Sequence, residues 1–325
     1  MRIFDRRPRI APGEEGSSSN PQSAIRNPQS MNPVTIRVPA TTANLGPGYD
    51  ALGVALQIYN FVSVQRGAPT APSPMVTEVS RLFFETADLA PFDVEWSIRG
   101  DVPRSRGMGS SVTVRLGLLH GLNELTDRPL TATKLFELCA ALEGHPDNAA
   151  PAAFGGFTVA GGAEVARFPV DPALRFILLI PDFEISTPDA RRVLPAQIDR
   201  LGAARSCANA CRITAAFAAQ HYALLRGAFE DHLHQPYREK ALIRFLTAVI
   251  AAGEKAGALG GFLSGSGSTI CCVALENVEA IGAAMLAASG NAGARVVITT
   301  ADNGGVALEN SKIQIPSSKQ SKATN

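Results

Sequence analysis

The sequence has almost no excess charge of either sign. Lys and Arg number 30 against 29 Asp and Glu, for a net charge of +1. A chain that grips nucleic acid through a broad positive field needs more than this, so no nucleic-acid partner is expected and any anionic ligand must be held by local groups. Also missing is a run of eighteen apolar residues, so no membrane span is expected. The arginines near the N-terminus are not followed by an apolar core, which argues against a secretory signal. The five cysteines, at positions 139, 207, 211, 271 and 272, include no C-x-x-C pair. They read as small core residues of a reduced, cytoplasmic protein. No Gly-Lys dipeptide occurs anywhere, which excludes a Walker A loop.

What is present is enough apolar material for a sizeable core. Hydrophobic residues make up 46% of 325, and charged residues 18%, which fits two modest domains. Residues 1–30 are rich in Ser, Pro, Asn, Gln and Arg and read as a low-complexity tail, with Met31 as the functional start. Residues 310–325 are polar and read as a second tail. Between the tails, strands are predicted over 34–38, 54–64, 94–98, 176–180, 270–275 and 296–299. Helices are predicted over 111–125, 132–143, 206–226, 240–256 and 278–288. Val112, Leu116, Leu119 and Asn123 form one stripe of the first of these helices. Glycine pairs at 155–156 and 161–162, then Pro169 and Pro172, place a domain boundary near 170. The mixture predicts an α+β architecture with domains at 31–170 and 171–309 rather than a regular βαβ run.

The most informative segment is Pro103-Arg104-Ser105-Arg106-Gly107-Met108-Gly109-Ser110-Ser111. It follows a predicted strand and opens a predicted helix. Glycines at 107 and 109 allow a tight turn and bring N–H groups close to a ligand. Ser110 and Ser111 add hydroxyls and are expected to cap the helix. The free N–H groups of the first turn then make an anion site suited to phosphate. Val112 stands where a dinucleotide fingerprint has its third glycine.

Two further glycine clusters accompany this loop. One is Pro39-Ala40-Thr41-Thr42-Ala43-Asn44-Leu45-Gly46-Pro47-Gly48-Tyr49-Asp50, a strand end followed by a loop whose Asn44 and Asp50 suit a polar, amine-bearing substrate. The other is Ser264-Gly265-Ser266-Gly267-Ser268-Thr269, entering a strand.

With these three motifs in this order the chain resembles the GHMP small-molecule kinases. The first matches the family pattern P-A-T-x-A-N-L-G-x-G-F-D with Tyr49 for Phe. The second matches P-x-x-x-G-L-G-S-S-A-A with Met108 for Leu. The third matches S-G-S-G-P-T with Ser268 for Pro. The run Glu143-Gly144-His145-Pro146-Asp147-Asn148, with the later Thr187-Pro188-Asp189-Ala190-Arg191, is similar to the homoserine kinase branch. Val112 and Thr113 replace two alanines, and Arg115 sits in a usually apolar stretch.

The resemblance implies a ribosomal S5 domain 2-like N-terminal domain and a ferredoxin-like C-terminal domain, with ATP, Mg²⁺ and L-homoserine bound between them. It implies an ATP-binding role for 103 and 106–111. It implies Glu143 or Glu137 as the metal carboxylate, with Glu143 preferred and Ser110 as a second oxygen. Substrate contacts fall on Asn44, Asp50, His145, Arg191 and Arg238, because a carboxylate suits an arginine fork. Thr187 is placed near the transferred phosphate, and Arg192 is a further candidate. Some relatives place an aspartate base where Asn148 falls. Asparagine takes no proton, so the resemblance implies catalysis by positioning and charge stabilisation. A homodimer is also implied. Another alcohol acceptor, or a non-catalytic ligand-binding role on the same scaffold, remains open.

Overall fold

The computed structural model describes residues 33–309, apart from 70, 163, 291 and 292; the tails expected at 1–30 and 310–325 lie outside the described residues. The chain opens with β1 (Val34–Ala43) and β2 (Leu52–Arg66), followed by α1 (Pro74–Ala87), β3 (Val94–Gly100), α2 (Ser110–Leu125) and α3 (Ala132–Glu143). A short α4 (Ala149–Phe154) leads to the hairpin β4 (Phe157–Gly161) and β5 (Glu164–Phe168). Then come β6 (Arg175–Ile180), α5 (Thr187–Arg192), α6 (Arg200–Ala218), α7 (Gln235–Ala241) and α8 (Leu246–Lys255). The chain continues through β7 (Gly260–Leu263), β8 (Ile270–Ala274), α9 (Val278–Ser289) and β9 (Arg295–Thr300) to β10 (Ala307–Leu308).

Two antiparallel sheets result. The first runs β10-β1-β2-β4-β5, with β3 also on β2; the second runs β7-β8-β6-β9. The last strand of the first half ends at Phe168 and the second sheet begins at Arg175, but β10 returns to pair with β1. The strands of the second sheet show how both its faces become core. Successive side chains of a strand point to opposite faces. On β6, Phe176 and Leu178 meet Leu52, Val54, Leu56 and Phe157 of the first sheet, together with Phe217 of α6. Ile177 and Leu179 point the other way, onto Val249 of α8 and Ile281 and Met285 of α9. Adjacent Cys271 and Cys272 divide between the same two cores.

A third core lies between the first sheet and α1–α3. Helix α2 is buried around most of its girth, including Val112, Leu116 and Leu119 of the expected stripe. Gly117 and Gly121 let it approach the sheet: a Cβ on either would lie 2.5 Å from Val62 or Val64.

Several expectations need correction. Cys207 and Cys211 are exposed on α6, not core residues. The helix expected over 206–226 begins at Arg200, because Asp199 accepts the N–H of Gly202, and it ends at Ala218. The helix expected over 240–256 is two, with Pro236 in the first turn of α7. Helix α1, capped by Ser73 with Pro74 behind it, was not expected. Among the described residues no helix is long and apolar enough to cross a membrane.

His120 on α2 has its Nε2 sealed from solvent without a hydrogen-bond partner among the described residues. Burial lowers its pKa to about 4, against a smaller opposing pull from Glu124. The unfolded chain takes up this proton as pH falls below about 6.5, while the folded chain resists until about 4. Stability is therefore lost over that interval. A His120→Leu variant is expected to raise Tm, and to raise it more at pH 5 than at pH 8. A gain equal at both would assign the acid sensitivity elsewhere.

Candidate active site

The three motifs interlock through backbone. Thr41 N–H donates to Met108 O at 3.2 Å, Thr269 N–H to Arg106 O at 3.2 Å, and Gly265 N–H to Ala43 O at 3.1 Å. Ser264 Oγ donates to Gly107 O at 2.7 Å and accepts from Thr42 Oγ1 at 2.8 Å. They border one cavity of about 740 Å³ that draws its walls from both halves of the chain.

At one end stands the N-terminus of α2. Its N-cap is Gly109, in the left-handed region with φ 67°, and no side chain among the described residues caps the helix. The expected serine cap is therefore not made. Ser111 Oγ instead donates to Glu143 Oε2 at 3.1 Å. The first-turn N–H groups are left without a side-chain acceptor, the arrangement that receives phosphate. Glu143 is 11% exposed and pairs with Arg115 at 2.5 Å, which gives the unusual Arg115 a partner. Glu137, the other glutamate left open, pairs with Lys134 outside the cavity walls. Thr113 is accommodated as a buried hydrogen-bonding residue: its hydroxyl donates to Ser110 O and accepts from Asn60 Nδ2. Arg106 reaches across to the carbonyls of Pro181 and Asp182, tying the loop to the end of β6. Pro103 is not among the cavity walls.

The other end is charged. Asn44, at φ 69°, donates through Nδ2 to Gly265 O and accepts Asp50 N–H on Oδ1. Arg191 Nη2 reaches both oxygens of Asp50, at 2.8 and 3.0 Å. Arg238 is 2% exposed. It donates to Ala190 O, Gly265 O and His234 Nδ1, and burial lowers its pKa from the usual guanidinium value. The Tyr49 ring centre lies 5.5 Å from the guanidinium carbon of each of these two arginines. His145 Nδ1 meets Asp147 Oδ1 at 2.7 Å. That hydrogen bond raises the His145 pKa against the opposing effect of burial. Asp50, His145 and Asp147 bring ligand atoms within 4.8 Å of one another. Asn148 and Thr187 complete this wall, whereas Arg192 points to solvent at 75% exposure and pairs with Asp189.

The expected residues other than Pro103, Glu137 and Arg192 thus line one cavity. In the sequence Asp147 and Thr41 belong to motifs without an expected role of their own. The apolar stretch of wall from Met75, Trp96 and Ile98 was not anticipated. Alternation in a strand looks the same whether its face meets a helix or a ligand.

Both halves of the chain are similar to known proteins. Residues 74–156 match the GHMP kinases N terminal domain and 213–292 the GHMP kinases C terminal domain. A homoserine kinase of Microchaete diplosiphon is 38% identical over 301 residues, covering 86% of this chain and 96% of the relative. One from Halothermothrix orenii is 35% identical, covering 86% and 98%. The crystal structure of homoserine kinase from Cytophaga hutchinsonii superposes with a TM-score of 0.79 at 26% identity, covering 86% of this chain and 99% of that one. A mevalonate kinase structure, at 12% identity and TM-score 0.62, shares the fold.

Proposed function

The chain belongs to the GHMP kinases, in their homoserine kinase branch, and from that premise we propose that this cavity moves the γ-phosphoryl group of ATP to the side-chain hydroxyl of L-homoserine. The observation that carries the reading is the Asp50–Arg191 ion pair, with buried Arg238 beside it. In the structure the two charges satisfy each other. An amino acid offers the same two charges in reverse, its ammonium for Asp50 and its carboxylate for Arg191. Mevalonate lacks the ammonium and galactose lacks both, so each would break the pair and leave charge unmatched.

The nucleotide phosphates belong at the other end, on the uncapped turn of α2. Glu143 and the hydroxyls of Ser110 and Ser111 supply hard oxygens there, a donor set that fits Mg²⁺. Bound there, the ion would offset negative charge on the phosphates. Asn148 offers no base, and His145 Nδ1 is engaged by Asp147. The chain's own work is therefore to hold hydroxyl and phosphoryl in line. The hydroxyl oxygen bonds to phosphorus as the bond to the β-phosphate oxygen breaks, and the proton leaves on a phosphoryl oxygen. A cytoplasmic location and a homodimer belong to the same reading; five free cysteines support the first and the family resemblance the second.

The test is ADP release from purified protein with ATP and Mg²⁺, offered L-homoserine, L-serine, L-threonine, mevalonate or galactose. Turnover with homoserine alone is expected. Turnover with another alcohol instead would remove the amino-acid pocket, and silence with every acceptor despite ATP binding would leave only a binding protein. Within the same assay, Glu143→Gln is expected to raise the Mg²⁺ concentration for half-maximal turnover by about tenfold or more. Glu137→Gln is expected to leave it in place.

A further inference from the structure

Asn148 is held from two sides. Its Oδ1 accepts the Thr41 hydroxyl at 2.6 Å. Its Nδ2 lies 3.3 Å from Asp147 Oδ1, which also accepts the Asn148 backbone N–H at 2.9 Å. Turning the amide over would set its oxygen against a buried carboxylate and take from the buried Thr41 hydroxyl the oxygen to which it donates. The orientation is therefore fixed, with the carbonyl spent on Thr41 and one N–H spent on Asp147. The second N–H remains, on a residue that lines the cavity.

Thr41 is placed to do this by the strand and the loop together. It is fully buried near the end of β1, with its backbone N–H on Met108 O. Gly109 leaves the room: a Cβ there would sit 2.2 Å from Thr41 Oγ1 and 3.3 Å from Asn148 Oδ1. The glycine that uncaps α2 toward the phosphates is thus the same residue that admits the Thr41–Asn148 bond.

We propose that Thr41 is a positioning residue, whose hydroxyl fixes the Asn148 amide so that an N–H rather than a carbonyl faces the acceptor alcohol. This rests on the kinase reading above. The N–H donates to a lone pair of the substrate hydroxyl oxygen and holds it toward the phosphoryl group. The hydroxyl's own proton is left free to depart with a phosphoryl oxygen. A carbonyl in that place would take that proton's hydrogen bond and aim the oxygen wrongly.

Thr41→Val removes the hydroxyl at nearly constant volume. It is expected to lower kcat for homoserine about tenfold while KM for ATP moves about twofold or less. Thr41→Ser returns the hydroxyl and is expected to restore the turnover lost in Thr41→Val. In an Asn148→Ala background, Thr41→Val is expected to cost nothing further, because the two act as one unit. An equal loss in the serine variant, or fully additive losses, overturns the proposal and leaves Thr41 as packing. Thr41→Ala is the second hydroxyl deletion, should valine disturb folding.

A second readout needs no turnover. In the full chain, the side-chain amide resonances of Asn148 are those absent from the spectrum of Asn148→Ala. They are expected to shift in Thr41→Val and to return in Thr41→Ser. Shifted resonances in a chain that phosphorylates nothing would sink the kinase reading and keep the Thr41–Asn148 unit. Unshifted resonances would sink the proposal whatever the activity.

Discussion

Gly107→Ala is expected to abolish measurable phosphoryl transfer and to lower Tm by several degrees. Gly107 stands at φ +72°, where an L side chain costs about 1–2 kcal/mol. The larger part is steric. A Cβ there would lie 2.0 Å from Ser264 O, 2.8 Å from Gly267 N and 2.9 Å from Gly267 O. All three are backbone atoms, so no rotamer change relieves the overlap, and the 103–111 loop must leave the 264–269 loop. That parting breaks the Ser264 hydroxyl bond to Gly107 O and the Thr269 bond to Arg106 O, and it turns the first turn of α2 away from the cavity. With the about 1–3 kcal/mol typical of overpacking, the total is about 2–5 kcal/mol. Gly227→Ala is the control: it stands at φ +69° with nothing within 4 Å of a Cβ, so it carries the backbone cost alone. Thermal melts of both variants, with ATP titrations, separate the two contributions. Equal melting losses and an unchanged ATP affinity in Gly107→Ala would show that the loops tolerate separation.

These glycines mark what was legible in the sequence and what was not. The motif at 103–111 announces a tight turn before a helix, because only glycine takes such backbone readily. That the turn is pressed against Ser264, more than 150 residues away, is a property of the packed chain and has no local signature. The same division runs through the site. Strand and helix periodicity places β6, α2 and α3 to within a residue or so, since each buries a regular stripe. Helix α1 carries the same signal: Val76, Val79, Phe83 and Phe84 fall on one helical stripe behind Ser73 and Pro74, so it too is legible in the sequence. Serines at 110 and 111 look like caps, and the left-handed Gly109 takes the cap position instead. Asp147 sits in plain view beside His145, yet its function as the acceptor for both His145 and Asn148 depends on a turn geometry that spacing alone does not fix.

Arg238→Ala is expected to raise KM for homoserine about a hundredfold while KM for ATP stays within about twofold, and to cost about 3 kcal/mol of stability. The guanidinium is buried and bonds two carbonyls, Ala190 O and Gly265 O, as well as His234 Nδ1. Truncation strips a donor from each of them in a place water does not readily reach. His234 is sensitive to this loss, because its Nε2 is engaged with Gly46 O and burial keeps its pKa at about 4, in the neutral form that accepts from Arg238. Arg238→Lys is not a rescue, since a single ammonium cannot span acceptors placed for a planar fork. The neighbouring arginines separate binding from stability. Arg191 is 39% exposed and pairs with Asp50 across the cavity, so Arg191→Ala is expected to raise KM for homoserine with little change in Tm. Arg192, at 75% exposure outside the cavity walls, is expected to change neither. All three arginines could hold a carboxylate by residue type, and their exposures predict three different outcomes. A loss of stability in Arg238→Ala with homoserine and ATP affinities falling together would make Arg238 a strut of the fold, and would leave Arg191 alone to hold the substrate carboxylate.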